Sequence, residues 1–389
     1  MINKKTGLVM KKIYIFAMLV FGTSAYAATT PLGNAIAEYG DAPQYLVNAA
    51  DAWDSLIGTP MRSGTIAQRM SDMNNPGNTG RLYDVMSVLA FNNTAMTIYQ
   101  TNRHLDAAYD IVSAPLISRK STAARSFVIN AHGIGETDKF THHKNDDFEM
   151  RTGGAGVSAY AYVTNGLAFG VGYTYAKSKS HDMPLKADGE SNIISLFTKY
   201  MADNGWYMNM ALAAGQTQWN LDKTVAGVAD KTSFDTDIYS AQMTTGINLS
   251  RGRIAVIPEI GARYTRLVNE KHIDAAAQDF KKWWYNSLSV DGGASMAINF
   301  PVGAMLVRPK ITMGAGYDVI NNGTDHVRAR LISGQSYSMP VHAPNRTELR
   351  AGGGIGLYAS RVAVDATYTL HSRSDYISHD VKAVMKIAF

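Results

Sequence analysis

The amino-acid sequence predicts an all-β transmembrane barrel of about twelve antiparallel strands, preceded by a short α-helical segment. One observation is a period-2 alternation that returns about a dozen times between Arg125 and Phe389. Its clearest instance is Leu167 to Tyr175. Leu167, Phe169, Val171, Tyr173 and Tyr175 fall on one face; Ala168, Gly170, Gly172 and Thr174 fall on the other. A series of such strands, large and apolar on one side and small or polar on the other, suits a wall with lipid outside and water inside. The second observation is that the connections between these strands are alternately short and long. The third is the complete absence of cysteine. Small exported domains use disulfides, whereas a barrel closed by its own ladder needs none. A soluble sandwich would show the same alternation with its apolar faces hidden between two sheets.

Residues 1–27 read as a leader. Lys4, Lys5, Lys11 and Lys12 form a basic start, Ile13 to Phe21 an apolar core, and Ala25-Tyr26-Ala27 a small-x-small cleavage site with Ala25 and Ala27 as its small residues. Met10 is an equally good start. The apolar run is shorter than the roughly 20 residues of a membrane helix, so the expectation is export through the Sec translocon. Only 18% of residues are charged and 46% are hydrophobic, scattered by alternation instead of massed. The formal charge of +5 includes the leader lysines, and no basic run carries interleaved aromatics. Nucleic acid is not an expected partner. No cofactor or metal is expected.

Residues 28–120 lack alternation and form the predicted helical segment. Ala35, Ile36 and Tyr39, then Tyr45, Leu46, Ala49, Ala50, Trp53 and Leu56, recur at helical spacing. A second run covers Ile66 to Met73, and a third spans about Arg81 to Tyr109. Pro115 ends any helix before the barrel. No nucleophile elbow, HExxH or phosphate loop occurs, so an enzyme finds no support.

Residues 121–389 form the predicted barrel. Strands are expected near 126–137, 147–163, 167–180, 190–202, 206–220, 236–250, 254–268, 284–299, 304–319, 347–359, 362–372 and 378–389. Thr164-Asn165-Gly166, Asp203-Asn204-Gly205, Arg251-Gly252-Arg253, Pro301-Val302-Gly303 and Ser360-Arg361 are tight connections. Those near 138–146, 181–189, 221–235, 269–283, 320–346 and 373–377 are long and polar, as on the external side of an outer-membrane barrel. Charge follows the inner face: Glu259 and Arg263, Arg308 and Lys310, and Lys382 and Lys386 alternate with apolar residues. Trp219, Trp283, Trp284 and Tyr285 are expected in the interfacial aromatic girdle.

Three passages are similar to the translocator domain of autotransporters, the type V secretion family. The last strand, from Asp375-Tyr376 to Lys386-Ile387-Ala388-Phe389, closes on an aromatic. Before it stand Glu348 to Leu357 and Val362 to Tyr368, which resemble the tenth and eleventh strands. The stretch from Ile66 through Asn74, Leu82 and Val85 to Tyr99 resembles the family's helical junction. The resemblance covers about Ile66 to Phe389. It implies a twelve-stranded barrel in the bacterial outer membrane with an α-helix through its lumen. It also implies delivery by periplasmic chaperones and insertion by the barrel-assembly machinery, which reads the last strand and Phe389. The expected function is a monomeric translocator that anchors and exports, or tethers, a short N-terminal segment. The alternative is a small-solute porin whose N-terminal helices stay in the periplasm.

Candidate sites follow from these two readings. Lumenal charges that would hold a plug helix, or line an open pore, are Glu149, Arg151, Glu259, Arg263, Arg308, Lys310, Arg350, Asp365, Lys382 and Lys386, with Arg81, Asp84, Arg103, Asp106 and Asp110 as helix partners. The bland alternative is a solvated wall of weak cross-strand pairs. Asn92-Asn93 is a candidate for self-cleavage, which some family members perform between paired asparagines, with Glu259 as an assisting acid. This pair lies further upstream than theirs, so an uncleaved helix is the default. His142-His143 with Asp146-Asp147 offers metal-ligand types, but adjacent histidines converge poorly on one ion and a polar loop explains them.

Overall fold

The computed structural model describes residues 30–38, 42–58, 62–73, 79–89, 93–113, 127–140, 148–164, 166–181, 185–274 and 276–389. The leader with Ala25 and Ala27, residue Asn92, and the loop carrying His142, His143, Asp146 and Asp147 lie outside these.

Twelve antiparallel strands close into a barrel. In chain order they are β1 (Phe127–Phe140), β2 (Phe148–Tyr162), β3 (Leu167–His181), β4 (Leu185–Met201), β5 (Trp206–Val225), β6 (Val228–Ile247), β7 (Ile254–Asn269), β8 (Trp283–Ile298), β9 (Met305–Gly323), β10 (Thr347–Tyr358), β11 (Val362–Arg373) and β12 (Tyr376–Ala388). Each pairs with its neighbours in sequence. β1 closes the ring on β12, with Val128 opposite Ala388 and Phe140 opposite Tyr376. Closure leaves no strand edge facing lipid, where an unpaired backbone group would cost several kcal/mol.

The alternation sorts the faces. Phe169, Val171, Tyr173, Ile194, Leu196, Leu212, Ile260, Met313 and Val381 point outward and are exposed, while Thr174, Ser178, Ser191, Ser195 and Thr217 point inward and are buried. Large apolar groups exposed over a whole wall are what a lipid solvent selects. Phe389 also faces out, with its ring 6.4 Å from that of Phe127.

Five helices precede the barrel among the described residues: α1 (Pro31–Glu38), α2 (Gln44–Asp54), α3 (Arg62–Met73), α4 (Thr79–Leu89) and α5 (Thr94–Ser113). Helices α1 to α4 are amphipathic. With the turn after α2, they bury Leu32, Ile36, Leu46, Val47, Trp53, Leu56, Ile66, Met70, Leu82 and Met86 in one cluster. That cluster continues into the long connections of the barrel through Phe280, Val327, Ala329, Leu331, Tyr337 and Met339. These connections are not featureless loops. Residues His272–Ile273, Asp279–Phe280, His326–Arg330 and Ser336–Pro340 form a separate four-stranded sheet, against which α2 packs. Together they make a cap over the end of the barrel that carries the long connections.

The β5–β6 connection differs from the expected loop at 221–235. Both strands run on, to Val225 and from Val228, and meet at Ala226 and Gly227, with φ of 49° and 74°. The inward row continues through Leu221, Thr232 and Phe234. Above the bilayer the outward row turns polar (Asn220, Asp222, Lys231, Ser233), which removes the hydropathy signal while the β geometry persists. This long hairpin is a wall of the cap: Arg69 of α3 donates to the Ala226 carbonyl at 2.7 Å.

Trp219, Trp283 and Tyr285 are not in the girdle. All three point inward and are fully buried, at 0%, 1% and 1% exposure, where cap and plug leave no water to face. Trp284 alone of the four faces out, beneath the Arg266 guanidinium 5.6 Å from its ring.

Two outcomes follow. Replacing Trp53 with Ala removes a fully buried aromatic from the cap, at a cost of about 3–5 kcal/mol. Limited proteolysis should then cut residues 30–89 while the barrel keeps its heat-modifiable migration. His272 is stacked between Phe234 and Phe280, with ring centroids at 4.6 and 4.8 Å. Burial there lowers its pKa to about 4. The unfolded chain, with an ordinary imidazole near 6.5, takes up the proton first. Cap stability is therefore complete above about pH 6.5 and declines as pH falls towards 4. H272F should flatten that decline in a proteolysis–pH series.

Candidate functional site: the occupied lumen

Helix α5 enters from the cap and runs through the barrel. Its first turn forms beside the external connections, where the Asn93 carbonyl accepts from Thr97 N–H (2.9 Å) and Thr94 Oγ1 accepts from His342 N–H (3.1 Å). The helix has no broad apolar face. Thr97, Gln100, Thr101, Arg103 and His104 are all buried beside Leu105 and Ala108. Such a helix is stable only where its surroundings supply polar partners.

One face supplies them as neutral hydrogen bonds. Gln100 and His104 stand one turn apart. The His104 ring reaches Ser191 Oγ through Nδ1 (2.5 Å) and Ser178 Oγ through Nε2 (2.6 Å). Gln100 donates to Asp138 (2.8 Å) and accepts from Thr152 and Ser178 (both 2.9 Å). The hydroxyls belong to β2, β3 and β4, so the helix is pinned to that wall. Tyr99 adds an aromatic seat, stacked at 4.8 Å on Tyr376 and at 4.7 Å edge-on to Phe140.

The second face is ionic. Arg103, Asp106 and Asp110 lie at i, i+3 and i+7. Arg103 pairs with Asp106 at 2.8 Å, and its guanidinium lies 3.2 Å from His371 Nδ1 and 3.8 Å from Glu348. Asp106 binds Arg263 of β7, and Asp110 binds Lys382 of β12. Glu348 also holds Arg373 (2.8 Å) and His371 (2.9 Å). Between this face and the far wall lies a cavity of about 350 Å³, bordered by Asp106, Asp110, Glu259, Arg350, Asp365 and Lys382.

Of the ten lumenal charges expected from sequence, Arg263 and Lys382 bind the helix, through Asp106 and Asp110. Arg350 pairs with Asp291 at 3.0 Å, Lys310 lies 3.9 Å from Asp365, and Glu259 accepts from Tyr207 at 2.8 Å. Arg308 points inward, and Lys386 is fully buried on the inward row of β12.

Glu149 and Arg151 are a correction. They sit on the outward row of β2 in step with Ala155 and Val157, and Arg151 pairs with Glu149 itself at 3.3 Å. Charge implies lumen only at hydrocarbon depth; these residues stand at the external end of the strand, where an outward charge is solvated. Arg81 and Asp84 are likewise outside the lumen, exposed on α4. Asn93 is at the cap end of α5, whereas Glu259 lies in the half of β7 nearer the short turns, so the cleavage candidates are not brought together. Among the described residues no group of three His, Asp or Glu side chains is placed to hold a metal.

Sequence reading missed Gln100 and His104, and also Glu348 and His371. For Gln100 and His104 the signal was present as hydroxyl residues at inward positions of three successive strands, facing a polar i, i+4 pair on the helix.

A closed barrel with apolar outer rows, a polar lumen and a helix through it defines an outer-membrane translocator. The family model described as Autotransporter beta-domain matches residues 130–369, and the chain belongs to this family. An immunoglobulin A1 protease autotransporter of Haemophilus influenzae is 24% identical over 193 residues, 49% of this chain. That stretch spans 10% of the relative's length. Among solved structures, the translocator domain of autotransporter NalP from Neisseria meningitidis has a TM-score of 0.61 at 15% identity, covering 78% of this chain and 99% of that one. The β domain of the Bordetella autotransporter BrkA follows at 0.51 and 12%, covering 68% and 100%. The transport unit of AIDA-I from Escherichia coli follows at 0.50 and 11%, covering 75% and 97%. The protein is an outer-membrane translocator barrel.

The ionic face yields a measurable outcome. Asp106→Ala leaves Arg103 and Arg263 without their shared carboxylate inside the lumen. The pairs are partly buried and Arg103 keeps Glu348 nearby, so the cost falls below the roughly 3–5 kcal/mol of breaking a fully buried pair. In planar bilayers the variant should show frequent large-conductance openings where the parent shows few.

Proposed function

We propose that the barrel carries its own N-terminal segment, residues 28–120, outward through its lumen and keeps it tethered at the external face. The supporting observation is the path of the chain. Helices α1 to α4 stand at the end with the long connections, α5 descends the lumen, and β1 begins at the end with the short turns, beside Phe389. A segment exported through a barrel anchored at its C-terminal side must leave its linker inside the lumen.

On this reading residues 1–27 direct the chain to the Sec translocon. Periplasmic chaperones then carry it to the barrel-assembly machinery, which engages β12 and the outward-facing Phe389. Arg263 and Lys382 hold the linker once it has arrived. The work done is positional and electrostatic, and it needs no catalytic group. The protease in the relatives' name belongs to those proteins. A solute pore with periplasmic helices would require α1 to α4 at the short-turn end and an empty lumen, and neither matches the placement described above.

The absence of native cysteine makes the test direct. A single D72C on the exposed face of α3 should react with a membrane-impermeant maleimide on intact cells. R253C, in a short turn, should react only after the outer membrane is permeabilised. The reverse pattern overturns the proposal.

A further inference from the structure

The outward face of β1 to β4, at the external end, carries Lys139, Arg151, Lys177, Lys179 and Lys186. Arg151 of β2 and Lys179 of β3 are directly opposed Cα partners, and Lys177 is the next residue on the same face. Like charges set opposite each other destabilise a strand pair, so the arrangement calls for an anion. The barrel's own acids meet it in part. Glu149 lies 3.3 Å from Arg151, Glu190 binds Lys177, and Asp188 is opposed to Lys179. Lys139, Lys179 and Lys186 make no ion pair among the described residues.

Outward cations are densest in this sector: β7 presents Arg266 over Trp284, and Lys281 and Lys282 before β8 are paired with Asp279 and Glu270. At the same height β5 and β6 present Asp222, Asp235 and Asp237 with Lys231, and β10 to β12 present Thr347, Leu349, Ser372, Ile377 and His379. Directly beneath the cations the wall becomes apolar: Tyr175, Tyr173 and Val171 on β3 are 37%, 42% and 54% exposed, and Val157 on β2 is 55% exposed. Cations just above a lipid-facing band stand at headgroup depth, and a guanidinium can grip a phosphate through two parallel hydrogen bonds.

We propose that this sector is a docking surface for the phosphorylated headgroup of a lipid in the external leaflet. Arg151, Lys177 and Lys179 would bind its phosphate oxygens, and its acyl chains would lie on the apolar rows below. The proposal depends on placement in the outer membrane and is independent of whether the N-terminal helices are exported.

The test uses the full-length mature chain refolded in neutral detergent, with bisphosphorylated lipid A as probe. Native mass spectrometry and thermal unfolding are read in parallel. The parent should retain the lipid and unfold at a higher temperature with it. The same lipid stripped of phosphate, and inorganic phosphate alone, should do neither. Each basic residue near a lipid phosphate contributes enough that R151A/K177A/K179A should weaken binding by at least about tenfold. A control on other strands, K231A/R266A, should bind as the parent does. Should the triple variant misfold by heat-modifiable migration, the single variants R151A and K179A serve, each expected to weaken binding about threefold or more. Equal retention of the phosphate-free lipid, an equal effect of inorganic phosphate, or equal weakening by the control pair overturns the proposal.

Discussion

Everything in this molecule depends on the saturation of backbone hydrogen bonds in a solvent that offers none. A strand in hydrocarbon must have a neighbour on both sides, so the sheet closes, and β1 meets β12 along the whole of its length. Closure creates a lumen, and the alternation of each strand sends its small and polar residues there. The lumen is then a second polar medium, in which a helix as hydrophilic as α5 can be stable. Ser178, Ser191 and Thr152 are ordinary inward residues of a barrel wall, and they become the seat of Gln100 and His104 only because the ring is closed around them.

The two faces of α5 do different work. The neutral face is short-ranged and geometric, with His104 held between two hydroxyls and Gln100 among three partners. It fixes where the helix sits. The ionic face carries Arg103, Asp106 and Asp110, whose partners come from β7, β10, β11 and β12, the opposite arc of the ring. Buried pairs of this kind add little net stability, because desolvation offsets the attraction, yet losing one member is costly. They fix the register and orientation of the helix in the lumen while adding little to the net free energy of its insertion. The cap continues the same logic above the membrane, where α1 to α4 share one apolar cluster with the long connections.

Much of this was legible in the sequence, and the boundary of legibility has a physical cause. The strand number and closure through the last strand follow from alternation and turn spacing, as does the facing of Arg263, Lys310 and Lys382, because hydrocarbon imposes one rule on every outward residue. Above the bilayer that rule lapses. There the outward row of the β5–β6 hairpin is polar and reads as loop, Glu149 and Arg151 read as lumenal, and Trp219, Trp283 and Tyr285 read as girdle. The cap sheet was invisible for a related reason: its strands are short, and their pairing is set by contacts between distant connections. The seat of α5 was half visible. Asp106 and Asp110 stood out as charges, whereas Gln100 and His104 are recognisable only once the facing hydroxyls are known to share a wall.

The central claim is that α5 occupies the lumen against the β2–β4 wall in the assembled protein. In this cysteine-free chain the direct measurement is a designed crosslink, H104C with S178C, positions whose native side chains are joined by a 2.6 Å hydrogen bond, bridged in outer membranes by a short bis-methanethiosulfonate reagent that makes up the reach of the lost imidazole. A bridged species is expected in the fully assembled barrel, seen as a reductant-sensitive mobility shift, and none for H104C paired with a cysteine replacing Thr312 on the far wall. An assembled barrel in which the first pair stays unbridged, or crosslinks no better than the second, would contradict the seating of α5 on the β2–β4 wall.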